Sequence, residues 1–390
     1  MFSSRLPANP VPNALSQRLA ALRAERMPFV DLTESNPTRA GFTYPAGLLT
    51  GLAGDRALAY DPRPFGLDTA REAVAADCAR RGARIDAAHV VLTASTSEAY
   101  SWLFKLLCNP GERVLVPRPS YPLFEHLTRL EGVEAVPYDP EYHGCWEIDA
   151  DSVARAAAGG ARALLAVSPN NPTGSFLKAR ELDWLTTLCA ERGLAMVADE
   201  VFADYRLDAP GHVVTDVAAR SDVLAFTLGG LSKTVGLPQV KLGWMIAGGP
   251  ARERDAALAS LELIADSYLS VSTPVQVAAP GLLALGAAVR DDILRRVRGN
   301  LATLRDLAGR FRACDVLTCE GGWSAVIRVP AIRTEDELVL GLLERERILA
   351  HPGYFFDFPR EAFLVVSLLP PPDVFAGAAA RMLQFACSSV

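Results

Sequence analysis

The sequence predicts an α/β protein: a mostly parallel, seven-stranded sheet with helices on both faces, joined to a smaller α+β domain. Three observations predict it. From Val90 to about Val271 short apolar runs alternate with helical patterns, the rhythm of βαβ units. After Pro274 that alternation stops, and strands and helices follow one another in a different order. At 390 residues, half of them hydrophobic, the chain can bury a large core and form two domains.

Taken in order, Pro7, Pro10 and Pro12 make the first dozen residues an extended arm, and an amphipathic helix is expected from Ala14 to Arg26. The strand candidates are HVVLTA, ERVLVP, EAVPY, ALLAVSP, AMVADE, VLAFTL and LGWMIAG, with helices such as SEAYSWLFKLLC and ARELDWLTTLCAERG between them. A long helix through RDDILRRVRGNLATLRDLAGRF then leads to strands CDVLTCE, WSAVIRVP and FLVVSLL. The expected division is an arm with the start of the small domain at 1–40, a large domain at 41–274 and a small C-terminal domain at 275–390.

Composition removes several function classes. A net charge of −6 with no basic tract argues against nucleic acid, whose binding needs clustered Lys and Arg. Seven scattered cysteines without a C-x-x-C pair, and five histidines without H-E-x-x-H spacing, give no metal signature and suit free thiols in a reducing compartment. The N-terminus has no signal-type apolar core, and PVQVAAPGLLALGAAV is broken by Pro280 and too short to span a bilayer. A cytoplasmic protein with no membrane contact is expected.

Open α/β sheets bind ligands at the carboxyl ends of their strands. Four such ends carry polar residues that packing alone does not require. In VVLTASTSEAY a strand ends at Thr93 and a helix begins near Glu98; its free N–H groups and dipole suit a phosphate, while by itself an ordinary N-cap at Ser95 or Ser97 is the commoner reading. In VSPNNPTG, Asn171 precedes a proline and can aim its amide into a cleft, or simply make the turn. In MVADEVFADY, Asp199 directly follows an apolar strand, where an unpaired carboxylate is costly, so it calls for a cation. In FTLGGLSKTVGLPQVKLGW neither Lys233 nor Lys241 has a neighbouring carboxylate; Lys233 is either a snorkelling surface lysine or a reactive amine of lowered proton affinity. Together these ends ask for one ligand with a phosphate, a protonatable ring nitrogen and an aldehyde. Pyridoxal 5'-phosphate has all three.

The blocks RPSYPLFE, SPNNPTG, ADEVFADY and GGLSKTVGLPQVKLGW resemble, in order and spacing, the signature blocks of class I/II aminotransferases, the fold-type I pyridoxal-phosphate enzymes. The likeness runs roughly from Asp31 to Ser367. It implies transfer of an amino group between an amine or amino acid and a 2-oxo acid through a lysine-bound aldimine. A lyase or decarboxylase on the same scaffold is the alternative, because cofactor apparatus does not by itself fix the reaction.

Position by position, the resemblance makes Lys233 the Schiff-base lysine and proton shuttle, and Asp199 the partner of the pyridine nitrogen. It gives Asn171 the ring's phenolic oxygen and stacks Tyr121 on the ring face. Ser95, Thr96, Ser97 and Ser232 fall in the phosphate cup, and Tyr60 reaches the phosphate of a neighbouring subunit, which implies a homodimer with shared sites. Three departures stand out. Phe202 takes the place of a tyrosine, so that Asn171 acts alone or Tyr205 substitutes. Lys241 replaces an arginine at the phosphate, keeping the charge without the fork. Val365 stands where the carboxylate-binding arginine is expected, in an Arg-x-Ser strand. Substrate contacts are then expected from Asn36 and Arg39 in SNPTRAGF or from Arg360, or the substrate presents no carboxylate there. The nearby aromatic cluster of Tyr354, Phe355, Phe356 and Phe358 suits an apolar group or core packing.

Overall fold

All seven apolar runs become strands of one sheet: β1 (Val90–Thr93), β2 (Arg113–Pro117), β3 (Glu134–Tyr138), β4 (Ala163–Val167), β5 (Ala195–Asp199), β6 (Ala225–Gly230) and β7 (Gly243–Gly248). The computed structural model describes residues 3–6 and 11–388, so Pro7 and Pro10 of the expected arm lie outside the described residues. The strand order is β1-β7-β6-β5-β4-β2-β3. Every neighbouring pair is parallel except those of β7, which runs antiparallel to both β1 and β6.

Alternation along the strands sends side chains to two cores. Val197 of β5 packs with Ala99, Trp102 and Leu103 on one face, while Met196 and Ala198 pack with Leu182, Leu185 and Cys189 on the other. Connections from β4 to β6 step one way across the sheet, and β3 lies on the opposite side of β2. The direction of winding therefore reverses between β2 and β4, the kind of place where α/β sheets open a crevice.

The smaller unit holds an antiparallel sheet of β8 (Asp315–Val316), β9 (Ser324–Arg328), β10 (His351–Pro352) and β11 (Phe363–Ser367), in the order β8-β9-β11-β10. Three of these were legible in the sequence; β10, two residues long, has no periodicity to read. The N-terminal helix runs from Ala14 to Ala24, slightly shorter than expected, and Asn13 caps it by accepting from the Ser16 N–H at 2.9 Å. Val30–Asp31 pairs in parallel with Ile348–Leu349, and Leu32 and Ala40 join the small unit's core.

One helix ties the two units together. It spans Thr273–Ala308 and continues through Pro280, starting well before the stretch expected from RDDIL. A proline inside a helix removes one backbone bond, here to the Gln276 carbonyl, and crowds that carbonyl, a cost that packing offsets. Ala278, Ala279, Leu282 and Leu283 pack beside Leu92 and Trp244 of the large sheet. Val289, Ile293, Val297, Leu301 and Leu304 pack in the small unit. Among the described residues no single helix is long and apolar enough to cross a membrane.

Candidate active site

Sheet register draws the marked strand ends together. Gly243 of β7 pairs with Thr93 of β1 on one side and with Gly230 of β6 on the other. The loop after Thr93, the turn bearing Ser232 and Lys233, and Lys241 two residues before Gly243 therefore meet at one edge. Glycine is needed there: a Cβ on Gly243 would lie 2.9 Å from the carbonyl carbon of Ser95. Tyr121 follows β2, Asn171 follows β4 in a loop with cis Ser168–Pro169 and Asn171–Pro172 peptides, and Asp199 ends β5.

These ends floor a cavity of about 470 Å³ that is walled on the other side by residues of the small sheet. Thr96, Tyr121, Asn171, Asp199, Phe202 and Lys233 all line it, so six expected site residues share one space. The sequence did not single out Trp323, Ser324 or His351, which line it as well.

Asp199 is buried, its Oδ2 accepting from the Tyr100 hydroxyl at 3.1 Å and its Oδ1 from the Val201 N–H at 3.2 Å. Burial raises its carboxyl to about 6 against the pull of both hydrogen bonds and of Lys233. Lys233 lies on the single turn Leu231–Thr234, with Nζ 4.8 Å from the Trp323 ring centre and 5.4 Å from that of Phe202. Burial lowers its ammonium to about 8, opposed by the Asp199 charge. The snorkelling alternative therefore fails: Lys233 points into the cavity. Asn171 Oδ1 accepts from the Ser324 hydroxyl at 3.3 Å.

At the start of the Thr96–Leu107 helix, Ser95 is the N-cap, and its Oγ accepts from the Glu98 N–H at 3.2 Å. The Glu98 carboxylate is held back by the Ala94 N–H at 2.6 Å and the Ser270 hydroxyl at 2.5 Å. That leaves the Thr96 and Ser97 N–H groups and hydroxyls for an anion, with Ser232 on the facing turn. Lys241 is solvent-exposed in a left-handed conformation, φ 61°, beside this edge.

Other expected residues lie elsewhere. Tyr205 is fully buried and donates to the Lys233 carbonyl at 2.5 Å, so it does not substitute for the tyrosine replaced by Phe202. Phe202 instead meets the Trp323 ring edge-on at 5.2 Å. Arg39 is exposed and pairs with Glu34 at 3.3 Å, Asn36 accepts from the Thr38 N–H and hydroxyl, and Arg360 is exposed; none of the three is on the cavity wall. Tyr60 is 77% exposed and opens onto a different cleft, beside Arg63 and Leu269. Val365 does line the cavity, among Phe356, Phe358 and Trp146. Phe355 and Phe356 reach the wall with it, whereas Tyr354 bonds Asp336 through its hydroxyl and Phe358 packs in the core.

The donor set fits pyridoxal phosphate. A raised, buried carboxylate wants a cationic ring nitrogen, a partly neutral amine wants an aldehyde, and free helix N–H groups want a phosphate. Among the described residues no group of His, Cys, Asp and Glu could hold a metal ion.

Comparison with known proteins agrees. The alanine aminotransferase of Mycobacterium tuberculosis (strain ATCC 25618 / H37Rv) is 28% identical over 385 residues, covering 95% of this chain and 89% of the relative. The glutamate-pyruvate aminotransferase AlaA of Escherichia coli (strain K12) is 26% identical over 365 residues, covering 90% and 89%. Among solved structures, an alanine aminotransferase from Pyrococcus furiosus superposes with a TM-score of 0.87 at 22% identity, covering 99% of both chains. An aminotransferase from Escherichia coli gives 0.85 at 24%, covering 100% and 99%. At those identities the structures establish the fold, fold type I. A family model, aminotransferase class I and II, matches residues 51–374. The chain thus belongs to the class I and II aminotransferases, and it is a transaminase that uses pyridoxal 5'-phosphate.

Proposed function

We propose that this enzyme exchanges an amino group between an amino acid and a 2-oxo acid, with Lys233 as the amine that holds the cofactor and moves the proton. The observation that carries the proposal is Lys233, lowered to about 8, facing the same cavity as the buried Asp199. An amine poised near neutral pH can serve first as nucleophile and then as acid and base. When bound, pyridoxal phosphate supplies the aldehyde that takes the amino group and the ring that withdraws electrons from the donor's Cα.

The chain's own residues do the rest. Asp199, oriented by Tyr100 and the Val201 N–H, would hold a proton on the pyridine nitrogen. Asn171, whose Oδ1 is steadied by Ser324, would offer its amide N–H to the cofactor's phenolic oxygen. Tyr121 would cover the cofactor's ring face, and Phe202 and Trp323 keep water from the lysine. Thr96, Ser97, Ser232 and Lys241 would receive the phosphate, with Ser95 shaping the loop. Lys233 Nζ would be the group that takes the proton from the donor's Cα, acting as base and then as acid. Alanine or glutamate with pyruvate are the first substrates to try, from the names of the relatives. The lyase or decarboxylase alternative has no support from them.

A homodimer with Tyr60 reaching the partner's phosphate belongs to the same reading. It is supported by the exposure of Tyr60, Leu58 and Leu263, large apolar side chains at 77%, 88% and 73%. A cytoplasmic location is supported by seven free cysteines. The domain division at residues 40 and 274 is part of the proposal too, with the Thr273–Ala308 helix shared between the two cores. The test is a half-reaction screen, following the cofactor's visible absorbance as amino acids and amines are added. Borohydride should fix the cofactor on Lys233. A purified protein without that chromophore, given pyridoxal phosphate, would refute the assignment.

A further inference from the structure

Without arginine at 365 the cavity needs another carboxylate partner, and the small sheet supplies a candidate. In the β10–β11 pair His351 stands directly opposite Val365, and both line the cavity. Opposed residues of an antiparallel pair point to the same face. The imidazole therefore enters the space that a long side chain at 365 would use. Its plane is set by stacking on Phe355, centroids 4.3 Å apart at 10°, and by Phe356 edge-on at 5.5 Å.

Three hydroxyls on that side are already engaged, while among the described residues the Trp323 indole N–H is buried on the wall without a partner. Ser367 donates to the Glu34 carbonyl, Thr33 donates to Asp31, and Ser324 donates to Asn171. Among the described residues the His351 ring makes no such bond, and it is the only histidine on the wall. Lys233 is the only ammonium there, and Arg39 and Arg360 do not reach it.

We propose that His351 receives the carboxylate of the amino-acid donor and of the 2-oxo acid acceptor, in the place left by Val365. The proposal rests on the transamination argued above. Burial holds the ring at about 4, with the Asp31 charge opposing, so at pH 7 only about one ring in a thousand is protonated in the empty cavity. The empty site offers a neutral N–H, a bound carboxylate would favour protonating it, and in both states the ring lacks the two-pronged fork of an arginine. Weak saturation by amino acids, with turnover retained, is the expected signature.

The test uses holoenzyme, the best amino-acid donor from the screen, and the amine lacking only its carboxylate. His351→Phe keeps the aromatic stack and removes the donor; His351→Gln restores one. For His351→Phe, KM for the amino acid should rise at least about tenfold with kcat little changed, while KM for the amine stays put. His351→Gln should recover most of the loss. Binding of 2-methylalanine, which has no Cα hydrogen and cannot turn over, should weaken in the same proportion when followed by absorbance. Wild-type KM and Kd in His351→Phe would overturn the role, as would equal losses for amine and amino acid. A wild-type protein that binds no cofactor would instead overturn the proposed function, and this role with it.

Discussion

Replacing Asp199 with Asn should stabilise the cofactor-free protein while disabling the enzyme. The carboxylate is buried, and its pKa is raised from 3.8 to about 6. Between those values the folded chain keeps a proton that the unfolded chain has lost, so stability falls as pH rises through that window. Below 3.8 both states are neutral and the cost is absent; above 6 both are charged and the cost is complete. A shift of roughly two units at about 1.4 kcal/mol each makes it about 3 kcal/mol at pH 7.5. Asn retains an oxygen for the Val201 N–H and can donate to the Tyr100 oxygen, so the hydrogen bonds survive. The assay is urea denaturation of apo wild type and Asp199→Asn between pH 5 and 8. The variant should be more stable at pH 7.5, with the gap narrowing below pH 6. In the holoenzyme it should lose about 2–4 kcal/mol of transition-state stabilisation, the usual worth of one electrostatic contact. An apo variant no more stable than wild type at pH 7.5 would refute the claim that this site bears a desolvation cost for its chemistry.

Lys233→Ala should fold, bind no borohydride-fixable cofactor and lose transamination by several orders of magnitude; retained activity would remove Lys233 from the site. Its apo form should also lose the rise in stability that wild type shows between pH 8 and 10.5, because a lysine lowered to about 8 penalises the fold while charged. Lys178→Met should cost about 3–5 kcal/mol of stability, since it strands the buried Glu320 carboxylate now 3.0 Å from Lys178 Nζ; a loss below about 1 kcal/mol in denaturant titration would show that pair to be dispensable. Tyr60→Phe should weaken cofactor binding by about 1.5–3 kcal/mol, one charge-assisted hydrogen bond, in a protein that sediments as a dimer; an active monomer would contradict the shared site. Arg39→Ala should leave kcat/KM within about threefold of wild type, because its partner is Glu34 on the surface.

The sequence by itself determined the sheet and several of the residues that share the cavity. Each signal was local: an apolar run that must be buried, then a polar residue such as Asp199, Asn171 or Lys233 that burial alone does not explain. Strand ends of one parallel sheet lie on one edge, so those residues had to converge. Tertiary structure alone decided the substrate side. Tyr100 meets Asp199 across ninety-nine residues, a contact set by the rotation of a helix against the sheet. His351 reaches the cavity through a two-residue strand whose register with Val365 no sequence pattern announces. Arg39, and after it Arg360, looked able to enter from the sequence, and in the structure both are exposed to solvent. Tyr205 and Phe202 are three residues apart, yet one hydroxyl is drawn to the Lys233 carbonyl and the other ring walls the lysine. Which way a side chain points depends on register and packing between distant segments, and that information is not local.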